Sequence, residues 1–135
     1  MSGCSPKTIL LIDDDPLFIE VLGYGLRHAG YKVLSAADGL EAVEVFNSAI
    51  GIDLVILDMI MPVMDGYEAY FKLKRIEPDL KIIMITGYYE DERVNEILAD
   101  GRFCRFLKKP FTLKELIGEI EKLASISKEK DAPLR

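Results

Sequence analysis

The sequence predicts an α/β protein with a doubly wound, five-stranded parallel sheet and helices on both faces. Short apolar segments, β-branched or Leu-rich, alternate five times with segments of helical periodicity. The connections are short, which favours right-handed crossovers between neighbouring parallel strands. A chain of 135 residues is enough for one such domain but not for two. The strand order that fits is 2-1-3-4-5, which places strands 1 and 3 side by side at the topological switch point.

The five predicted strands are short apolar runs. Most of them are predicted to be buried on both faces, because polar residues do not alternate with the apolar ones. They are Thr8–Ile12, Tyr31–Ala36, Leu54–Asp58, Lys81–Thr86 and Arg105–Lys108.

The helices are predicted mainly from their first residues. Asp15-Pro16 places a capping residue before a proline at the first helical position. Asp38, Asp65 and Thr112 each stand three residues before a Glu, which is the spacing of a capping box or of its Asp variant. A fourth helix is predicted over residues 91–99. Apolar residues form one face of the first helix (Leu17, Phe18, Val21, Leu22, Gly25 and Leu26) and of the last (Leu113, Leu116, Ile117, Ile120 and Leu123).

Composition excludes several classes of function. The net charge of -6 argues against direct binding to a nucleic-acid backbone. No apolar run approaches the roughly 18 residues of a membrane span, and Met1–Lys7 lacks the apolar core of a signal peptide. The two cysteines, Cys4 and Cys104, do not have the pattern of a disulfide framework, so a reduced, cytoplasmic setting is expected.

Three segments are expected along the chain. Residues 1–6 form an N-terminal extension, residues 7–124 form the domain, and residues 125–135 form a polar tail. The tail is compatible with a stand-alone protein and equally with the start of a linker to a further domain, and both alternatives stay open.

Acidic residues end two of the predicted strands. Asp58 is the last residue of one apolar run, and Asp13 and Asp14 follow another. If these strands are parallel neighbours, three carboxylates converge at one edge of the sheet, where they repel each other. Such a cluster persists when a cation neutralises it or when one member does chemistry. Because Mg²⁺ takes oxygen ligands and often binds together with a substrate phosphate, a magnesium site is predicted here.

The same edge is expected to carry two more polar groups, because Thr86 ends strand 4 and Lys109 follows strand 5. With a cation in place, a carboxylate can attack phosphorus and form an aspartyl phosphate. The Lys109 ammonium can hold a phosphoryl oxygen as a point charge, and the Thr86 hydroxyl can donate to another. The constellation therefore predicts phosphoryl transfer to a carboxylate.

Four segments together resemble the receiver domain of two-component response regulators, of the chemotaxis-regulator type, over about residues 7–124. The second segment is highly specific by itself, and the order and spacing of all four exclude a chance match. The resemblance implies a flavodoxin-like fold. The segments are Ile-Leu-Leu-Ile-Asp-Asp-Asp-Pro at 9–16, Asp-Met-Ile-Met-Pro-Val-Met-Asp-Gly-Tyr-Glu at 58–68, Ile-Thr-Gly-Tyr at 85–88 and Lys-Lys-Pro-Phe at 108–111.

The resemblance implies a role for each matched residue. Asp58 would be the phosphoacceptor, charged from a phosphohistidine of a sensor histidine kinase or of a phosphotransfer protein. Asp14 would bind Mg²⁺ directly, Asp13 would do so mostly through water, and the backbone carbonyl of Ile60 would join Asp58 in the metal site. The remaining roles are those of Thr86 as switch hydroxyl and phosphate ligand, Phe106 as switch aromatic, Lys109 as phosphate-binding lysine and Lys109–Pro110 as a cis peptide.

The resemblance also implies a signalling switch and not an enzyme that turns over an external metabolite. Such a protein uses Mg²⁺ to assist its own phosphorylation and dephosphorylation, and it regulates a separate effector or an attached output domain. Dimerisation on activation stays open.

Two other functions are alternatives to the interpretation as a signalling switch. An aspartyl-phosphate phosphatase of the haloacid dehalogenase type carries a second Asp two residues after its nucleophile, and that position is Ile60 here. A pseudo-receiver would only dock partners, and the complete set of acids, Thr86 and Lys109 argues against it.

The sequence departs from the family pattern before strand 5. Gly101 is followed by Arg102 where the family often has Ala, and Phe106 lies five residues after this glycine instead of four, so one residue is inserted. We expect the extra residue to lie before the strand, in a surface loop. Phe103 is then either an exposed anchor for a partner, flanked by arginines, or a side chain folded back into the core.

Overall fold

The computed structural model describes residues 7–49, 51–61, 63–87, 92–100 and 103–126. Three features expected from the sequence fall on other residues: the N-terminal extension 1–6, most of the polar tail, and the inserted position at Gly101-Arg102. These lie outside the described residues.

Among the described residues, one parallel sheet of five strands forms the centre of the fold. Its strands are β1 (Thr8–Ile12), β2 (Lys32–Ala36), β3 (Leu54–Asp58), β4 (Lys81–Thr86) and β5 (Cys104–Lys108). Their order across the sheet is β2-β1-β3-β4-β5, which confirms the predicted fold class.

Two strands start one residue away from their predicted first residue. Tyr31 precedes β2 because its backbone N–H donates to Leu26 O at the end of the preceding helix, 3.1 Å away, and is lost to the sheet. Cys104 joins β5 because it pairs with Ile82 of β4. Strand ends are thus set by the contacts of neighbouring segments.

In the part of the chain that the structure describes, four helices connect the strands and a fifth follows the last strand. Each predicted capping side chain accepts a backbone N–H in the first turn of its helix, and Thr112 and Glu115 form a reciprocal capping box. None of the helices that the structure describes is long and apolar enough to cross a membrane. Their bounds are α1 (Pro16–His28), α2 (Gly39–Ser48), α3 (Gly66–Ile76), α4 (Glu92–Asp100) and α5 (Leu113–Ala124).

Alternate side chains of the central strands enter two apolar cores, one on each face of the sheet. Leu10 and Ile12 of β1 lie in the core beneath α2, α3 and α4. Ile9 and Leu11 lie in the opposite core, beneath α1 and α5. Burial on both faces is the reason why the strands are continuous apolar runs.

The apolar face of α1 is wider than the stripe that the sheet covers. Leu22 and Leu26 are buried, whereas Leu17 and Val21 are 65% and 64% exposed. Two of the six residues predicted for the apolar face of this helix are therefore exposed to solvent.

Phe103 is buried directly before β5, with 5% of its surface exposed. The Lys74 Nζ of α3 lies 5.4 Å from the centroid of its ring. Burying a phenylalanine side chain stabilises a fold by about 2–3 kcal/mol relative to leaving the side chain exposed. The hypothesis that Phe103 is an exposed anchor for a partner is therefore wrong, and the alternative of a folded-back side chain holds.

Candidate functional site

The ends of two neighbouring strands bring three carboxylates together. Asp58 is the last residue of β3, and Asp13 and Asp14 directly follow β1, its neighbour in the sheet. One carboxylate oxygen of each residue lies within 4.8 Å of those of the other two. Asp13 and Asp58 are buried, with 2% and 8% of their surface exposed, whereas Asp14 is exposed. The acids therefore form one cluster that is open to solvent on the Asp14 side.

One oxygen of Asp13 is the observation that best tests whether a cation fits here. Its Oδ1 accepts a hydrogen bond of 2.9 Å from the backbone N–H of Asp15. Its Oδ2 is buried, and among the described residues no group donates a hydrogen bond to it. The nearest positive charge is Lys109 Nζ at 3.8 Å, longer than a hydrogen bond. Since an unsatisfied buried acceptor costs about 1–3 kcal/mol, this oxygen fits a hard divalent cation.

Burial and repulsion raise the pKa of both buried acids. Loss of solvation is the largest cause for Asp58, repulsion by Asp13 is the next, and together they raise its pKa to about 6 against the opposing effect of Lys109. The pKa of Asp13 is also raised, mainly by burial. Two negative charges at this edge thus destabilise the protein until positive charge is bound.

Lys109 and Thr86 complete the rim of the acid cluster. The backbone N–H of Lys109 donates to Thr86 O at 2.9 Å, which joins the end of β5 to the end of β4. The Lys109 ammonium, besides facing Asp13, lies 4.8 Å from the centroid of the Phe18 ring. Thr86 is buried, with 5% of its surface exposed. The Lys109–Pro110 peptide bond is cis.

The loop between β3 and α3 closes on itself beside Asp58. The backbone N–H of Met59 donates to Ile85 O, and that of Gly66 donates to Met59 O, both at 2.9 Å. A Cβ on Gly66 would lie 2.0 Å from the carbonyl oxygen of Asp58, so only glycine fits. Ile60, whose carbonyl is the expected further ligand, lies in this loop with its side chain 63% exposed.

Phe106 lies on the same face of the sheet as Thr86. The register of β4 and β5 pairs Met84 with Phe106 and Thr86 with Lys108, and every second residue of a strand shares a face. The Phe106 ring is partly buried against the core beneath α2, α3 and α4. The two switch candidates thus lie on adjacent strands, two residues apart along the sheet.

Sequence reasoning missed a contact between Asp65 and Arg93. It gave Asp65 the role of helix cap alone and gave Arg93 no role. In the structure, Arg93 Nη1 of α4 lies 3.1 Å from Asp65 Oδ2. The two residues are 28 positions apart, so no local pattern could have identified the pair.

Comparisons with known proteins identify the family to which this fold and acid cluster belong. Residues 9–121 match the family model of the response regulator receiver domain. The response regulator receiver protein CpdR of Brucella abortus (strain 2308) is 38% identical over 117 residues, which are 87% of this chain and 96% of that protein. The sensor kinase CckA of the same organism is 37% identical over 117 residues, which are 86% of this chain and 12% of that protein. The chain thus spans nearly all of one relative and a small part of the other.

Solved structures show the same architecture. A CheY-like receiver domain protein from Methanospirillum hungatei JF-1 aligns with a TM-score of 0.82 and 31% identity, over 95% of this chain and 100% of that one. The response regulator protein TrrA from Thermotoga maritima, in complex with Mg²⁺-BeF, aligns with a TM-score of 0.75 and 35% identity, over 87% of this chain and 98% of that one.

Proposed function

Because this chain belongs to the response regulator receiver domain family, we propose that it is a phosphoacceptor switch whose acceptor is Asp58. The donor is a phosphohistidine of a sensor histidine kinase or of a phosphotransfer protein in the cytoplasm, and the reaction requires Mg²⁺. The observation that carries this proposal is the buried Asp13 Oδ2. It has no hydrogen-bond donor among the described residues, and it belongs to a carboxylate that has an oxygen within 4.8 Å of one oxygen of Asp58 and one of Asp14.

In the proposed reaction, a carboxylate oxygen of Asp58 attacks the phosphorus of the phosphohistidine. The P–N bond breaks, and the imidazole leaves with the bonding electrons and takes up a proton. Asp13, Asp14, Asp58 and the Ile60 carbonyl would hold Mg²⁺, which supplies positive charge beside the oxygens of the transferred group. With a pKa of about 6, Asp58 is mostly the reactive carboxylate at neutral pH.

Lys109 and Thr86 stabilise the acyl phosphate. The Lys109 ammonium moves from its position near Asp13 to a phosphoryl oxygen, and the Thr86 hydroxyl donates to another. The signal ends when water attacks the phosphorus, the P–O bond to Asp58 breaks and inorganic phosphate leaves. The chain thus assists its own phosphorylation and hydrolysis without turning over an external metabolite. A phosphatase of the haloacid dehalogenase type is not supported, because Ile60 supplies no second carboxylate.

The donor protein docks on α1 and on the segment after β5. Leu17, Val21 and Tyr24 form an exposed apolar stripe at helical spacing, each 64–66% exposed. Beside it, a cavity of about 460 Å³ is lined in part by Phe18 and Lys109, so it reaches the rim of the acid cluster. An apolar stripe of this kind suits the apolar face of a partner helix. Val21→Glu should therefore slow transfer from a phosphorylated kinase and leave transfer from acetyl phosphate unchanged.

Readout passes through Thr86 and Phe106. When Thr86 turns towards a phosphoryl group, it leaves space on the face of the sheet that it shares with Phe106. Phe106 then turns into that space, which is a shift between two existing states. A beryllofluoride complex should therefore show both side chains in changed rotamers, and an unchanged Phe106 would exclude this readout.

Phosphorylation of Asp58 tests the proposed function directly. Acetyl phosphate with Mg²⁺ should add one phosphoryl group that is labile to base and to hydroxylamine, measured by intact mass. Asp58→Asn should abolish the addition, because an amide oxygen is not a nucleophile of this kind. Asp79→Asn, which replaces an exposed acid outside the cluster, should leave it unchanged. Addition that persists at another residue of the Asp58→Asn protein would contradict the assignment.

A further inference from the structure

We propose that Arg93 is a positioning residue for the phosphorylation site. It acts through Asp65, which ends the loop 59–65 that carries the Ile60 carbonyl. The inference rests on the proposed function in one respect: both assume that Mg²⁺ binds the acid cluster and the Ile60 carbonyl.

Other anchors of this loop are the side chains of Met59, Met61 and Met64, which are buried in the core, and several backbone contacts. Met59 is bonded to both Ile85 and Gly66, as described above. On the α2 side, the backbone N–H of Gly39 donates to Met64 O at 3.1 Å. A Cβ on Gly39 would lie 2.6 Å from that same oxygen, so α2 packs directly against the loop. These anchors fix the start of the loop and its α2 side.

The carboxylate of Asp65 anchors the end of the loop to two helices at once. Its Oδ1 caps α3 by accepting the N–H of Glu68 at 3.0 Å. Its Oδ2 accepts from Arg93 Nη1 of α4 at 3.1 Å. The two side chains are 36% and 33% exposed, so the pair can break without burying a charge. On the α4 side, the loop is therefore held by an ion pair that solvent reaches.

Further contacts along the seam between α3 and α4 hold Arg93 in place. Its guanidinium carbon lies 5.8 Å from the centroid of the Tyr67 ring, and the Tyr67 hydroxyl donates to Glu96. Of the nine residues of α4, all of them described, only Val94 and Ile97 are buried. Polar contacts of this seam thus add to the burial of Val94 and Ile97 in setting the position of α4.

These contacts couple the position of α4 to the binding of a cation at the acid cluster. A shift of α4 moves Arg93, and Arg93 moves the carboxylate that ends the loop. By thermodynamic reciprocity, a cation that orders the loop must then favour the present position of α4 by the same factor.

The test measures Mg²⁺ affinity by calorimetry in four single variants, one of them a control, and one double variant of the full chain. Arg93→Gln and Asp65→Asn should each weaken Mg²⁺ binding by about three-fold, the range of an exposed ion pair. Asn keeps the capping oxygen of α3. The double variant should be no weaker than either single one, since the same contact is lost. Arg93→Lys should keep most of the affinity.

The directions of these changes separate positioning from simple charge. Loss of a positive charge attracts a cation more strongly, and loss of a negative charge attracts it less. Charge alone therefore predicts tighter binding in Arg93→Gln and weaker binding in Asp65→Asn, whereas positioning predicts weaker binding in both. Arg75→Gln, which removes an exposed positive charge from the last turn of α3, is the matched control and should bind Mg²⁺ at least as tightly as the wild type.

Amide hydrogen exchange gives a second readout at α4. Added Mg²⁺ should slow exchange in residues 92–100 of the wild type but not of Arg93→Gln. Unchanged affinity in both single variants, opposite changes in the two, or a wild type that binds no Mg²⁺ would overturn the inference. A wild type that shows the expected pattern yet takes no phosphoryl group on Asp58 would overturn the proposed function and leave this inference standing.

Discussion

Burial determines which charges of the acid cluster are costly. Asp13 and Asp58 are almost completely removed from water, whereas the neighbouring Asp14 is exposed. The two buried acids have raised pKa values, chiefly through burial. The deeper a carboxylate of the cluster lies, the more its negative charge destabilises the folded protein. Protonation or a bound cation removes this cost.

The raised pKa of Asp58 gives a pH dependence with a definite sign. The folded protein holds a proton on Asp58 up to about pH 6, while the unfolded chain releases it near its ordinary pKa of about 4. Between these values the folded state binds more protons, so the stability of the metal-free protein falls as pH rises and then levels off above pH 6. Asp58→Asn removes this pH-dependent loss of stability, because the amide does not ionise. It should raise the free energy of unfolding on the order of 2–3 kcal/mol at pH 7 and make little difference near pH 4.

Urea unfolding of both proteins across this pH range, with a chelator present, measures the effect. Asp79→Asn should follow the wild type at every pH. An Asp58→Asn protein that is no more stable than the wild type at pH 7 would contradict the raised pKa of Asp58.

Cys104 illustrates burial acting on a neutral group. It lies at the start of β5 as a free thiol, and burial is the main reason why its pKa is raised to about 12. At pH 8 only about one molecule in ten thousand carries the reactive thiolate. In a Cys4→Ser variant, Cys104 should therefore react with a thiol reagent only after denaturant is added. Rapid, complete reaction in native buffer would contradict this prediction.

At the scale of elements, the starts of helices followed from the sequence because capping is local. Asp38, Asp65 and Thr112 bond to groups three residues away, so a short pattern carries the information. The start of β2 and the burial of Phe103 depend on residues far along the chain, and no local pattern contains them. The same is true of the exposed apolar residues of α1, because periodicity identifies an apolar face without saying how much of it another element covers.

Two glycines at helix positions should respond in opposite ways to alanine. Gly66 starts α3 against the carbonyl oxygen of Asp58, where a Cβ would lie 2.0 Å away, so Gly66→Ala should destabilise the protein by about 2–4 kcal/mol. Gly118 lies inside α5, and apart from its chain neighbours and the backbone of its own helix no heavy atom of the described residues would lie within 4 Å of its added Cβ. Gly118→Ala should therefore stabilise it by about 0.5–1 kcal/mol through helix propensity. Thermal unfolding measures both. Equal effects of the two substitutions would show that the contact at Gly66 relaxes easily.

At the scale of the whole molecule, the site was predictable because topology fixes it. Once the strand order is 2-1-3-4-5, the acids after β1 and at the end of β3 must meet at the switch point, and Thr86 and Lys109 must lie beside them. The sequence could not reveal the coupling of this edge to α4. Arg93 and Asp65 meet only because two helices pack side by side, and the distance between them in the chain hides the pair.

Binding of Mg²⁺ should stabilise the entire fold, since the acid cluster joins strands at the centre of the sheet. An unfolded chain cannot hold its three carboxylates within 4.8 Å of one another, so the cation binds the folded state selectively. Mg²⁺ at ten times its dissociation constant should then add about 1.4 kcal/mol to the free energy of unfolding. Sodium chloride of equal ionic strength should give far less, because it only screens the net charge of -6. Asp13→Asn should lose most of the specific Mg²⁺ effect while it keeps the response to sodium chloride. A wild type that responds equally to both salts would show that the cluster has no specific cation site.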